Sequence, residues 1–235
     1  GLTEVLDAEN NAGHCAWFGE RTERLTVISE SRVETLRRNP FDYVLSEMET
    51  ATTPVAYGEA AGRQLRPYLG ATGGERSVYA LAREAAQEGG WQTLPFLAGL
   101  TQRIYRNIEH TVREEGQARA AAETLRERVG ACRDVAVLFV EACRTMGLAA
   151  RFVSGYELGA ARQERAFMHA WAEVYIPGGG WRGYDPARGL ATGENHVAVA
   201  AGRDPEAAAP ISGSFRGTGV ESRMEFQIEV AVEEQ

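Results

Sequence analysis

Residues 130–147, which read GACRDVAVLFVEACRTMG, decide the fold. The almost uniformly apolar run inside this stretch is typical of a helix that is buried on all sides. Gly147 is a natural C-terminal cap, so a helix is predicted from Cys132 to Met146. Cys132 then begins the helix, where unpaired backbone amides and the positive end of the helix dipole favour a thiolate. The stretch therefore predicts a buried helix that carries a reactive thiol at its first residue.

The other two cysteines fit plainer interpretations. A helical cysteine is by default a small core residue, and Cys143, in the apolar middle of the helix, fits that description. Cys15 has only the adjacent His14 as a partner and is interpreted as a strand residue. Three cysteines cannot all pair, and their spacing fits no zinc motif, so no metal or cofactor is expected. Free thiols favour a reducing, cytoplasmic location.

A predicted β-hairpin follows the helix and carries a histidine and an aspartate. Residues 167–176 alternate between an apolar face and a face that holds His169, the Pro177-Gly-Gly-Gly segment breaks the strand, and residues 181–185 resume it. His169 and Asp185 are each eight positions from Pro177. A hairpin folded about Pro177 would place them directly opposite each other, close enough for the carboxylate to hold an imidazole N–H.

The same register would place Trp171 opposite Gly183, where the missing side chain leaves room for the indole. Taken singly, the histidine and the aspartate are better interpreted as structural residues. Together with a cysteine at a helix start, they make the set that thiol catalysis requires, because a base and its orienting group must be placed together. Strand stretches are also predicted at 149–157 and around His196, which is interpreted as structural rather than as a fourth catalytic group.

Several motifs resemble bacterial transglutaminase-like cysteine peptidases, which belong to the papain-like superfamily. They occur in the order Cys, His, Asp of that family and are Gly130-Ala-Cys-Arg-Asp134, Cys143-Arg-Thr-Met-Gly-Leu-Ala-Ala-Arg-Phe-Val-Ser-Gly-Tyr156, His169-Ala-Trp-Ala-Glu-Val-Tyr175 and Gly180-Trp-Arg-Gly-Tyr-Asp-Pro186. The resemblance continues through 196–204 and 210–216. Many relatives have Phe and His where this chain has Val135 and Val137, a difference inside the helix.

The resemblance implies an α+β, papain-like or transglutaminase-like core, with the cysteine-bearing helix packed against an antiparallel sheet. It also implies acyl transfer, with Cys132 as nucleophile, His169 as general base and acid, and Asp185 as the group that fixes the imidazole tautomer. The Cys132 backbone N–H is a natural oxyanion donor. A second donor should exist, but the sequence does not place it; Trp91 and a residue near Tyr105 are the candidates considered.

Three functions remain open at this point. The first is hydrolysis of peptide or isopeptide amide bonds through a thioester, which makes the chain a thiol protease. The second is glutamine–amine transamidation by the same triad. The third is a non-catalytic binding or scaffold module, which would have no need of all three side chains.

Composition divides the chain into three parts. Residues 1–58 are interpreted as an N-terminal β-sandwich-like module that lacks its opening strands, with a hairpin turn at 7–13 and a strand at 24–34. Residues 59–200 form the catalytic core, with helices predicted at 77–87, 93–107 and 118–128. Residues 201–235 form a linker and a terminal strand, 224–232, that is expected to return to the N-terminal module.

Charge limits the partners. The formal net charge is -8, and all 25 basic residues are arginine. Such a chain repels phosphate backbones, so neither nucleic acid nor an anionic membrane is expected to bind it. No run of about 18 apolar residues occurs that could span a bilayer.

The resemblance implies a protein or peptide substrate, and the oligomeric state stays open. Without lysine, an enzyme that transferred acyl groups to amines could not cross-link its own lysine side chains.

Overall fold

The computed structural model describes residues 1–20, 23–71, 75–158, 168–217, 219 and 223–231. The helices of this part of the chain are α1 (Glu59–Leu65), α2 (Arg76–Glu88), α3 (Thr93–Asn107), α4 (Ala121–Glu127) and α5 (Cys132–Thr145), with short 3-10 turns at Met48–Ala51 and Arg66–Tyr68. The strands are β1 (Leu2–Leu6), β2 (Ala12–Ala16), β3 (Glu109–His110), β4 (Val129–Gly130), β5 (Ala150–Glu157), β6 (His169–Ile176), β7 (Gly180–Asp185), β8 (Leu190–Ala191) and β9 (His196–Gly202).

A five-stranded antiparallel sheet, ordered β8-β7-β6-β5-β9, forms the base of the fold. Helix α5 packs against β6 and β5. The even-numbered residues of β6 supply apolar contacts, because Ala172, Val174 and Ile176 lie in the same buried core as Leu138 and Phe139 of α5. This confirms the predicted α+β core with a buried cysteine-bearing helix on an antiparallel sheet.

The predicted helices form close to their expected bounds. Helices α2, α3 and α5 each begin and end within one residue of the prediction, whereas α4 is shorter than the predicted 118–128. Helix α4 ends at Glu127, and the next residue, Arg128, adopts a left-handed conformation with φ 55° just before the short strand β4 begins at Val129. Among the described residues, no helix is both long and apolar enough to cross a membrane.

The C-terminal end of α5 is held by backbone contacts. Gly147 adopts φ 75°, and a Cβ there would overlap the carbonyl of Val55. The backbone N–H of Val55 donates to the Met146 carbonyl over 2.8 Å. The glycine that ends the helix is therefore needed both for its positive φ and for this close approach.

The N-terminal module is only partly as predicted. Strands β1 and β2 form the expected hairpin around the turn at 7–13. Its turn docks on the core, because the Asn11 side chain exchanges two hydrogen bonds of 2.9 Å with the backbone of Ala201 in β9. The predicted strand at 24–34 is wrong: these residues form no strand, and Leu25, Val27 and Ile28 are largely exposed. An alternating pattern forms a strand only when a neighbouring strand pairs with it.

The predicted C-terminal strand is also wrong over the part that the structure describes. Residues 223–231 form no strand, and the Met224 and Phe226 side chains are 79% and 54% exposed. Val232, like Phe167 at the predicted start of β6, lies outside the described residues. The boundaries of the three predicted parts remain a prediction.

The β6–β7 hairpin has a different register from the predicted one. Ile176 pairs with Gly180 and Glu173 with Gly183, so the hairpin is centred on Gly178 and not on Pro177. The reason is a turn in which the Gly179 N–H donates to the Ile176 carbonyl, Pro177 takes the second position and Gly178 takes the third with φ 89°. That is the arrangement of a type II turn. Gly183 therefore lies opposite Glu173 and not opposite Trp171.

Candidate active site

Cys132 is the first residue of α5 and is half-buried. The preceding residue, Ala131, has no side-chain acceptor for the helix amides. Asp134 compensates by accepting the Ala131 backbone N–H over 2.9 Å, which is half of a capping box. The backbone N–H of Cys132 has no acceptor within the helix, because the first turn of an α-helix leaves its amides unpaired.

Asp134 is fully buried and links the helix start to the preceding loop. Its other oxygen accepts the Arg113 guanidinium over 2.6 Å and the Arg119 backbone N–H over 2.9 Å. Arg133 reaches back to the backbone carbonyls of Arg113 and Glu115. These contacts fix the loop and the end of the helix relative to each other. The carboxylate of Asp134 also lies in the first turn of α5, where it complements the positive end of the helix dipole, and it forms an ion pair with Arg113.

His169 and Asp185 lie together at the end of the sheet where β6 begins and β7 ends. The His169 Nε2 atom is 2.6 Å from Asp185 Oδ2, and both side chains are buried. An ionised carboxylate only accepts hydrogen bonds, so Nε2 carries the proton and Nδ1 is the nitrogen left for another partner. In the observed register the two residues are diagonal neighbours rather than directly opposite ones, but they share a face as predicted.

The pKa of His169 reports on this pair and on Cys132. Burial alone would lower the pKa of His169. Hydrogen bonds to Asp185 and Cys132, together with the negative charge of both groups, outweigh the burial and raise the pKa well above its ordinary value. The structure therefore brings the three predicted residues together and favours an imidazolium at neutral pH.

Asp185 accepts four hydrogen bonds, two on each oxygen. Oδ1 accepts the backbone N–H groups of Ala187 and Arg188 over 2.9 and 3.2 Å. Oδ2 accepts His169 and, over 3.0 Å, the Nε2 atom of His196. Burial raises the pKa of Asp185, but the hydrogen bonds from the two histidines outweigh it and hold the pKa well below its ordinary value. The carboxylate therefore stays ionised although it is fully buried.

His196 is the residue of this site whose contact the sequence did not predict. It is the first residue of β9, which pairs with β5 at the edge of the sheet, and its Nε2 atom reaches Asp185. The one signal in the sequence is a histidine that begins a strand-like run shortly after the aspartate. That signal could not identify the contact, because the order of β9 and β7 in the sheet is a long-range property.

One cluster of three side chains among the described residues has the spacing of a metal site: the possible ligand atoms of His169, Asp185 and His196 lie within 4.8 Å of one another. Their two short contacts are accounted for as hydrogen bonds. A metal ion would need both Nε2 atoms without their protons, which would remove those bonds.

The two candidates for a second oxyanion donor, Trp91 and a residue near Tyr105, have different surroundings. Trp91 is excluded through its backbone, because its N–H donates to the Ala86 carbonyl over 2.7 Å. Tyr105 lies near the site and lines a pocket of about 440 Å³ that also includes His110, Val135 and Pro186. A donor near Tyr105 remains a prediction.

His110 lies close to the site. Strand β3 pairs with β4 in parallel, so that His110 lies beside Gly130, two residues before Cys132. Burial and then the nearby positive charge of Arg188 lower the pKa of His110, which therefore favours the neutral form. The residue as a whole is exposed.

The two tryptophans of the hairpin have separate surroundings. Trp171 is 1% exposed, and its ring lies 6.2 Å from that of His169 and 5.2 Å from that of His196. Trp181 lies at the other end of the hairpin, where it stacks edge-on with two tyrosines and lies under the Arg151 guanidinium. Trp171 therefore supports the histidines from within the core, and Trp181 belongs to a separate aromatic cluster.

Comparisons with known proteins found similarity in sequence and in overall structure. A solved structure from Cytophaga hutchinsonii, described as a candidate cysteine protease, is 30% identical with a TM-score of 0.54, over 71% of this chain and 55% of that one. An uncharacterized protein of Mycobacterium leprae is 28% identical over 223 residues, which is 83% of this chain and 69% of that protein. An uncharacterized protein of Mycobacterium tuberculosis is 28% identical over 144 residues, which is 57% of this chain and 46% of that protein.

The chain thus spans only about half of the solved relative. The transglutaminase-like superfamily model matches residues 80–186, a range that contains Cys132, His169 and Asp185 and ends one residue after the aspartate. Residues 80–186 therefore form a domain of the transglutaminase-like superfamily.

Proposed function

We propose that this chain is a thiol-dependent acyl-transfer enzyme that hydrolyses peptide or isopeptide amide bonds, with Cys132 as nucleophile, His169 as acid and base, and Asp185 as the orienting group. The family and the solved relative support thiol chemistry in general. The finer assignment is carried by one observation: a buried 2.6 Å His169–Asp185 pair whose histidine also interacts with a thiol at a helix start.

The acylation step uses the positions of these groups. The Cys132 thiolate attacks the substrate carbonyl and forms a C–S bond, and the backbone N–H of Cys132 stabilises the oxyanion. The C–N bond then breaks while the His169 imidazolium gives its proton to the departing amine. Asp185 keeps the Nε2 proton of His169 in place, so that Nδ1 is the atom that exchanges protons with Cys132 and the substrate.

The second step releases the acyl group. Neutral His169 takes a proton from water, the water oxygen attacks the thioester carbonyl, and the C–S bond breaks. The products are a carboxylic acid and the regenerated thiolate–imidazolium pair. Arg188 lies at the same end of the sheet, held by a double contact to Glu157, and its positive charge interacts favourably with the ionised thiol.

Alkylation of the native protein with iodoacetamide across pH 5–10 tests the assignment. Trypsin cuts this lysine-free chain only after arginine, so the three cysteines fall in separate peptides, 1–21, 129–133 and 134–144. We expect Cys132 to react well below the pKa of an ordinary thiol, about 8.5. Exposed Cys15 provides the ordinary reference. Buried Cys143, whose pKa burial raises, should stay unlabelled until the protein unfolds.

The same experiment on His169→Ala separates catalysis from a retained fold. The variant should lose the labelling of Cys132 at acidic and neutral pH while Cys15 labels as before. If Cys132 reacts only near pH 8.5 in the wild type, or if His169→Ala leaves its pH profile unchanged, the chain is a binding or scaffold module and the proposal is wrong.

Transamidation shares every step up to the thioester and differs only in whether an amine or water resolves it. An activated ester can place an acyl group on Cys132, and methylamine can then compete with water for it. We expect the carboxylic acid to dominate the products at millimolar amine. An amide as the main product would instead assign the chain to glutamine–amine transfer.

A further inference from the structure

Among the described residues, the side chain of His196 makes one hydrogen bond, and that bond is to Asp185. Its side chain is 4% exposed, its Nε2 atom donates to Asp185 Oδ2 over 3.0 Å, and its Nδ1 atom is buried with no partner among the described residues. An apolar side chain in the same place would avoid the cost of burying Nδ1 without a hydrogen bond. The imidazole is therefore explained by what Nε2 does for Asp185.

The contact completes the coordination of the carboxylate. A carboxylate has about four acceptor positions. Two are taken by the backbone of the turn that follows β7, one by His169 and one by His196. The backbone donors hold Oδ1, so His196 is the group besides His169 that fixes the direction of Oδ2. Without it, the bond to His169 alone would hold Oδ2, and the direction of this oxygen would be less well fixed.

The central strands are shaped so that His196 can reach across them. In β5, Gly155 lies between His169 on one neighbouring strand and Ala198 on the other. A Cβ at Gly155 would overlap both the Trp171 ring and the Val197 carbonyl. The pairing of β5 with β9 also shifts by one residue at this point. The missing side chain and the bulge let the Trp171 ring lie over β5, where it packs edge-on against the ring of His196.

We propose that His196 is a positioning residue: it fixes the Asp185 carboxylate so that the carboxylate holds the His169 ring toward Cys132. This inference rests on the proposed function, since it concerns the same acid–base pair. In this assignment His196 donates to Asp185 and acts on His169 through that carboxylate.

Three substitutions test the role. The side-chain nitrogen of glutamine is as many bonds from Cβ as Nε2 of histidine, and that of asparagine is one bond closer. His196→Gln can therefore still donate to Asp185, whereas His196→Asn and His196→Leu cannot. We expect the second-order rate of Cys132 alkylation at pH 7 to fall about tenfold in the Leu and Asn variants, as for other outer partners of a functional group. The Gln variant should recover most of the rate, and His14→Leu on the exposed β2 strand should react like the wild type.

A spectroscopic measurement distinguishes positioning from general packing. The proton that His169 Nε2 shares with Asp185 should give a downfield resonance in the proton NMR spectrum. We expect this resonance to shift or broaden in His196→Leu and His196→Asn and to persist in His196→Gln. If His196→Leu does not fold, the Gln and Asn variants, which are both polar and of similar size, still decide the matter.

The outcomes separate this inference from the proposed function. Suppose that His169→Ala abolishes the labelling of Cys132 at acidic and neutral pH, while the His196 variants leave both the alkylation rate and the resonance unchanged. The proposed triad then stands, and the role of His196 is refuted. If the Gln and Asn variants lose the same amount of rate, the role is also refuted, because the retained donor made no difference. If His169→Ala has no effect, the proposed function falls and this inference with it.

Discussion

Replacing Asp185 by asparagine exchanges one carboxylate oxygen for an NH2 group in a side chain that accepts four hydrogen bonds. Each oxygen of Asp185 faces two donors: two backbone N–H groups on one side and two histidine Nε2 atoms on the other. Whichever way the amide turns, its NH2 group therefore meets two donors. Because the backbone N–H groups cannot change, we expect the NH2 group to face the histidines.

The magnitude follows from those contacts. Two hydrogen bonds to a charged acceptor are worth roughly 1.5–3 kcal/mol each. A histidine that moves its proton from Nε2 to Nδ1 can accept a bond from the amide and recover part of the loss. We therefore expect Asp185→Asn to lower the free energy of unfolding by about 2–4 kcal/mol. The recovered bond has a chemical cost, because the proton then lies on the nitrogen of His169 that should face Cys132.

The reactivity of the thiol should fall together with the stability. In a serine protease triad, the same Asp→Asn change puts the histidine in the wrong tautomer and lowers turnover by about 10⁴-fold. We expect the alkylation rate of Cys132 at pH 6–7 to fall by at least about 100-fold. Urea unfolding measures the stability, and the Cys15 peptide in the same digest corrects for reagent and pH. Labelling of Cys132 at the wild-type rate in a folded Asp185→Asn protein would refute the reasoning.

Three further predictions concern the surroundings of the site. Asp134→Ala removes the acceptor of two backbone amides and the partner of Arg113, so urea unfolding should show a loss of about 2–4 kcal/mol; a loss below about 0.5 kcal/mol would contradict the capping role. Gly155→Ala should cost about 1–3 kcal/mol through overlap with the Trp171 ring, whereas Gly213→Ala, where a Cβ meets nothing within 4 Å, is the control and should leave the melting temperature unchanged. The pKa of His169 is raised on folding, so its contribution to stability is complete below its unfolded pKa of about 6.5 and is lost as pH rises through the folded pKa. The difference in free energy of unfolding between wild type and His169→Ala should therefore shrink from pH 6 toward pH 10. A difference that grows over this range would contradict the prediction.

The same rule applies to Asp185 with the opposite sign. Its pKa is lowered on folding, so its contribution is present above the unfolded value of about 3.9 and is lost as pH falls toward the folded value. Together the two groups predict that the pair contributes most between about pH 4 and 6.5. Melting temperatures across pH 3–10 for wild type and His169→Ala would measure both limits.

The helix and the hairpin that carry the site could be predicted because their signals are local. The apolar run after Cys132 and the glycine that follows it specify the helix within one residue. Alternation along β6 specifies which residues face the helix. The register of the hairpin was not predicted correctly, because it depends on which residue of the Pro-Gly-Gly-Gly segment takes the positive φ. The prediction that His169 and Asp185 share a face of the sheet was still correct, because the pairing shifted by an even number of residues.

The errors have a common physical cause. The predicted strands at 24–34 and 224–232 rest on alternation alone, and alternation does not say whether a partner strand is present. The contact of His196 with Asp185 could not be predicted for the same reason, because it depends on β9 crossing to the far edge of the sheet. Short-range patterns define elements, whereas the neighbours of an edge strand are decided by the packing of the whole domain.

Because α5 is clamped at both ends, by Asp134 before its second turn and by Val55 against Gly147, it cannot absorb a change in its length by fraying. One inserted residue would rotate everything on one side of it by about 100° relative to the other side. Cys132 would then point away from His169, or the apolar face away from the sheet. Changes of sequence in this fold should therefore fall in the loops and leave the number of residues between Cys132 and Gly147 constant.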